Sequence, residues 1–70
     1  MTLKQLVGAN IRRIRESKEI SMGDLAKKCG AHYTAIAQFE EGHRLPGLIN
    51  AIRVAHALEV TLDKLVTVKE

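Results

Sequence analysis

The chain has no tryptophan and only one each of tyrosine, phenylalanine, proline and cysteine in 70 residues. With so few rings, a core must be built from aliphatic side chains. A lone cysteine, Cys29, forms no internal disulfide, and a small buried hydrophobe is its expected role. Cys29 and His32 make a C-x-x-H, but no second ligand pair stands at zinc-site spacing, so no metal is expected. No apolar run approaches the roughly 18 residues that cross a bilayer. The N-terminus lacks the charged-then-apolar order of a secretory leader. A cytoplasmic protein without membrane contact is the expectation. There is no glycine-rich phosphate loop, and the acids mostly sit beside basic residues on helix surfaces. No nucleophile, base and stabiliser come together on that pattern, so the sequence predicts neither an enzyme nor a cofactor. Repeats, linkers and low-complexity stretches are also missing.

What is present is a hydrophobic fraction of 46%, which argues for a folded chain. Seventy residues make one domain, 1–70, with a marginal core unless packing is efficient or the chain dimerises. The net charge of +3 and a pI near 9.4 suit a nucleic-acid partner. Many soluble proteins carry such a charge, so it decides little alone.

The most informative stretch is 22–41, MGDLAKKCGAHYTAIAQFEE. Ser21 precedes it with Asp24 three residues on, a capping pattern with an acid in the positive first turn. Leu25, Ala26 and Cys29 share one helical face, and Gly30 suits the left-handed position that ends a helix. Ile36 and Phe39 recur at i, i+3, so a second helix begins almost at once, at His32 or Tyr33, and runs to Glu41. Counting Met22 as first, a small residue (Ala26) stands fifth, a turn glycine (Gly30) ninth, and apolar residues (Ile36, Phe39) fifteenth and eighteenth. This is the spacing of a helix-turn-helix, whose second helix enters the major groove. His32 takes the N-cap position, where Ser or Thr is preferred.

Before this motif, Thr2 and Gln5 form a capping-box pair. Leu3, Val7, Ile11 and Ile14 make one stripe on a helix ending near Lys18. Gly8 costs helicity and permits close packing. Arg12, Arg13 and Arg15 leave the stripe, Arg13 on a solvated face. Lys18–Ile20 is a short connection with Ile20 plugging the core. After the motif, Gly42 ends the helix, and His43 to Gly47 is a loop in which Pro46 bars helical geometry at Leu45. A fourth helix is predicted from Leu48 to Leu58 with Leu48, Ala51, Ile52, Ala55 and Leu58 inward and His56 on the surface. Thr61 caps a fifth, with Leu62, Leu65 and Val66 inward. The alternating Val66-Thr67-Val68 is either a strand or a frayed end.

In that order the chain resembles a Cro/cI-type (XRE-like) helix-turn-helix domain. The resemblance runs from about Val7 to Leu65. It is carried by IRRIR, S-x-x-D-L-A-x-x-x-G, I-x-x-F-E-x-G, Pro46 and A-x-A-L-x-V-T-L-D-K-L. It implies an all-α, five-helix, lambda-repressor-like fold and a transcriptional regulator that binds double-stranded operator DNA as a homodimer. Arg15 and Glu40 match positions that the family pairs. Base readers map to Tyr33, Thr34, Ala37 and Gln38, and phosphate contacts to Ser21, His43 and Arg44. Gln bonds adenine N6 and N7 together, and Ala or a Thr methyl packs on a thymine methyl. An ordinary solvated helix face would carry the same residues.

Besides His32 at the N-cap, two positions depart from the family. Met22 stands where a phosphate-bonding glutamine is usual. Glu41 stands where Asn, Arg or Lys is frequent. They leave open an alternative, a protein-interaction module such as an antitoxin, with the acidic Glu40-Glu41 end and uncharged third helix binding a partner protein. An RNA-associated or coactivator-like role is a further alternative.

Overall fold

The structure is a computed structural model that describes residues 1–68. Four α-helices, α1 (Leu3–Ser17), α2 (Met22–Cys29), α3 (Tyr33–Glu40) and α4 (Leu48–Ala57), are followed by a single 3-10 turn, Leu62–Leu65. The expected fifth helix is therefore only that turn. Between Thr61 and Val66 there is room for i to i+3 bonds alone, Lys64 N–H to the Thr61 carbonyl and Val66 N–H to that of Asp63. No described residue is in a strand, so the 66–68 tail pairs with nothing as a ladder.

The starts of α1 and α2 and the ends of all four helices rest on local chemistry. The Thr2 hydroxyl accepts from the Gln5 amide at 3.2 Å, and the Gln5 side chain accepts from the Thr2 amide at 2.9 Å. The Ser21 hydroxyl accepts from the Asp24 amide at 3.0 Å. Gly30 closes α2 at φ 68°, and the Ala31 amide reaches back to the Ala26 carbonyl. Gly42 does the same for α3 at φ 76°, with His43 N–H donating to the Gln38 carbonyl. At α1 and α4 the same left-handed position falls to Glu19 (φ 57°) and Glu59 (φ 59°), neither of which has glycine's freedom.

The core is aliphatic around one ring: Ile11, Leu25, Ile36, Phe39, Val54, Leu58 and Leu65 are almost entirely buried. Val7 and Ile14 complete the α1 stripe, and Ile20 packs against its edge. Leu3, expected in that stripe, is exposed, because it lines an open apolar groove with Leu45, Leu48 and Leu62 that no described element of the chain covers. The buried side of α4 is also rotated from expectation. Val54, Ala55 and Leu58 go inside with Ala51 at the margin, while Leu48 (68% exposed) and Ile52 (47%) face out. Of the three residues expected inward near the C-terminus, only Leu65 is buried; Leu62 and Val66 are exposed.

Candidate nucleic-acid interface

The placement of α3 follows from its own residues. Ile36 and Phe39 are 0% and 1% exposed and fix which side of the helix is inside. Gly8 brings α1 against its C-terminal end. A methyl group there would lie inside contact distance of the Phe39 carbonyl oxygen and 2.9 Å from that of Glu40. Backbone meets backbone at this crossing, and only a missing side chain permits it. Ala26 is buried where α2 approaches α3.

A buried ion pair adds the second fastening. Glu40 has a fully buried side chain and accepts from Arg15 through both oxygens, Nε to Oε2 at 2.6 Å and Nη2 to Oε1 at 3.0 Å. Arg15 Nη1 also donates to the Ile20 carbonyl at 2.8 Å. This two-pronged bond couples orientation as well as charge. It raises the Arg15 pKa above its ordinary value, chiefly through the hydrogen bond to Glu40. Arg12, half exposed, donates to the same carboxylate at 3.3 Å. Sequence reasoning assigned Arg12 no partner, although its position three residues before Arg15 places it on the same side of α1.

The outer side of α3 brings together the residues singled out in the sequence. Tyr33 and Thr34 are exposed, and Ala37 and Gln38 are half-buried beside them. Glu41 follows on the same side and is exposed. No lysine or arginine lies on this face. His32, at the N-cap, makes no side-chain capping bond, so its exposed imidazole is not committed to the helix. The loop after α3 is tied to it, because the Gln38 carbonyl accepts from both the His43 and Arg44 amides. The Arg44 guanidinium lies 5.7 Å from the centre of the Phe39 ring, a cation–π distance.

Ser21 stands at the positive N-terminal end of α2, a place suited to a phosphate oxygen. Its hydroxyl oxygen is occupied by the Asp24 amide, which leaves the hydroxyl proton to donate outward. Met22 is half-buried and packs against the core. The position where the family commonly holds a phosphate-bonding side chain thus serves packing here. Asn10, which the sequence did not mark, is buried and donates to the Leu65 and Thr67 carbonyls at 2.9 and 3.0 Å. It ties the C-terminal turn to α1.

A helix-turn-helix family model matches residues 11–65. The control protein C.SmaI of Serratia marcescens is 33% identical over 67 residues, which cover 96% of this chain and 80% of that protein. Two solved structures share the architecture. The restriction-modification controller protein C.AhdI of Aeromonas hydrophila matches with a TM-score of 0.86 and 27% identity, over 89% of this chain and 94% of the other. The P22 c2 repressor, solved in complex with a synthetic operator, matches with a TM-score of 0.82 and 32% identity, again over 89% and 94%. With the motif 22–41 folded as two helices about Gly30 and most of the chain inside the match, this protein belongs to the Cro/cI-type helix-turn-helix family of DNA-binding transcription regulators.

Proposed function

We propose that the chain reads a pseudo-palindromic operator as a homodimer, with α3 of each copy in the major groove. The observation that carries this is the contiguous outer face Tyr33, Thr34, Ala37 and Gln38 on a helix fixed from behind by Phe39, Gly8 and Glu40. A side chain reads a base edge only if its helix is held in a defined register. Gln38 is the longest uncharged polar group on this face and the natural reader of an adenine. Thr34 and Ala37 supply methyl surface for thymine. Ser21, His43 and Arg44 hold phosphates on either side. Regulation follows from occupancy of a promoter, or from contact with polymerase.

The dimer forms through the C-terminal half. Leu45, Leu48, Leu62 and Val66, all exposed, surround a groove of about 300 Å³, and Ile49 and Ile52 extend the apolar surface along α4. An apolar patch of this extent on so small a chain suits a second copy better than water. A two-fold dimer then sets the two α3 helices about 34 Å apart, one turn of B-DNA. Truncation after Leu65 removes Val66 and Val68 from this surface and weakens dimerisation and operator binding together. A chain that sediments as a monomer both free and on DNA would exclude the arrangement.

Holding and reading are separable on operator and scrambled duplexes at several salt concentrations. Gln38→Ala loses about 1–3 kcal/mol on the operator and little on scrambled DNA, and relaxes preference at one base pair per half-site. Arg44→Ala weakens both DNAs alike and lowers the salt slope by about one per site. Equal losses from Gln38→Ala on both duplexes remove it as a reader. If neither substitution matters, α3 faces a protein instead. In that case Glu41 is the acid left to contact it, since Glu40 is buried in its ion pairs.

A further inference from the structure

Away from the outer face of α3, a concavity of about 770 Å³ lies where the C-terminal ends of α2 and α4 meet. Its rim carries Lys27, Lys28, Arg53 and His56, and Glu59 is the one acid in the lining. Among the described residues, Arg12 and Arg15 are the cations in ion pairs, both with Glu40. Lys27, Lys28 and Arg53 are all exposed and carry charge that no acid compensates at contact distance. The two lysines stand in the last turn of α2, where they complement its negative end. Arg53 comes from the outer side of α4, so the α2 dipole does not account for it.

The location decides what this charge meets. The end of α2 that bears the lysines leads through Gly30 and Ala31 straight into His32 and Tyr33, the beginning of α3. A recognition helix presents its N-terminal residues to base edges. The basic cleft therefore adjoins the part of the domain nearest the duplex, beside the base pairs that α3 covers. The reading face offers no lysine or arginine of its own, so the three exposed cations of the cleft sit next to it and not on it.

We propose that this cleft seats the phosphate backbone of DNA flanking each half-site, so that the protein holds a longer stretch of duplex than α3 reads. Lys27 and Lys28 act as point charges, and Arg53 supplies a fork that bridges phosphate oxygens. The inference rests on the reading of α3 as the groove helix, and the test separates the two.

The operator is first recovered by selection from a random duplex pool. Binding is then measured at several salt concentrations on two duplexes, one ending at the half-sites and one extended by a helical turn at each end. The wild-type chain is compared with the Lys27→Gln/Lys28→Gln/Arg53→Gln variant, its fold checked by circular dichroism, and with the single variant Arg53→Gln. The wild type binds the extended duplex more tightly and with a steeper salt slope, by about 0.9 per added phosphate contact. The triple variant loses that gain and keeps its affinity for the short operator. Arg53→Gln alone loses roughly a third of the slope difference. The proposal is overturned if wild type and variants respond identically to the extension, or if the variants weaken on both duplexes equally. If selection returns no preferred sequence at all, it is the groove reading of α3 that has failed.

Discussion

Replacing Glu40 by alanine tests how α3 is held. The substitution removes a fully buried carboxylate and leaves Arg15, whose side chain is 12% exposed, without its partner. Stranding one member of a buried pair costs roughly 3–5 kcal/mol. The Arg12 bond adds little, because that side chain is 51% exposed and exposed pairs contribute about 0–1 kcal/mol. A chain of this length has a total stability on the order of 4–10 kcal/mol. A loss of 3 kcal/mol then lowers the melting temperature by roughly 12–24 °C, at 4–8 °C per kcal/mol for a domain this small. Thermal unfolding followed by circular dichroism measures this directly, with Arg12→Ala as a control shifting by a few degrees only. The sharper comparison is the double replacement Arg15→Met/Glu40→Leu. With neither charge left inside, it recovers most of the loss, short of the bond that Arg15 also gives to the Ile20 carbonyl. A shift of under 5 °C for Glu40→Ala, or a double variant as unstable as the sum of the singles, would refute the reasoning.

Gly8→Ala improves helix propensity by about 1 kcal/mol, yet forces α1 off the Phe39 and Glu40 carbonyls, and a net loss of about 2 kcal/mol or more is expected in a urea titration. Asn10→Ala leaves the Leu65 and Thr67 carbonyls without their donor. It should cost about 1–3 kcal/mol and speed carboxypeptidase trimming of the chain end, whereas unchanged trimming would show that Asn10 does not hold the tail. Glu19→Gly and Glu59→Gly relieve left-handed backbone at two helix ends. Each should raise stability by about 1 kcal/mol, read as a higher urea midpoint at constant slope.

The helix-turn-helix was legible because its boundaries are written locally. Ser21, Gly30 and Gly42 each act within four residues of themselves, and α2 begins and ends where those residues put it. The outer face of α3 followed from Ile36 and Phe39, two apolar residues in a short helix with no competing stripe. The side of α4 was not legible in the same way. Leu48, Ile52, Val54 and Ala55 offer two overlapping stripes, and helical period alone does not choose between them. The choice falls to what α2 and the 3-10 turn present, which is a long-range matter. The two exposed leftovers, Leu48 and Ile52, are the ones the dimer reading uses. Asn10 was invisible for the same reason, since its carbonyl partners lie 55 and 57 residues further along the chain. Arg12 was assigned no partner because its position on α1 says only that it leaves the apolar stripe; the geometry shows that it reaches Glu40.

The direct backbone contact at Gly8 has a consequence for recognition as an entropic problem. A helix of eight residues is too short to persist by itself, and a reading helix that had to be ordered on the DNA would lose affinity to that ordering. Here the last turn of α3 is locked to the longest helix of the domain by a crossing without side chains and by a two-pronged ion pair, before any duplex is present. Binding then asks for the immobilisation of a handful of outer side chains and none of the backbone beneath them. If α3 reads DNA as proposed, a face with few hydrogen-bonding groups and no arginine suffices under that condition, because what it gains from each contact is not spent on assembling the surface that makes it.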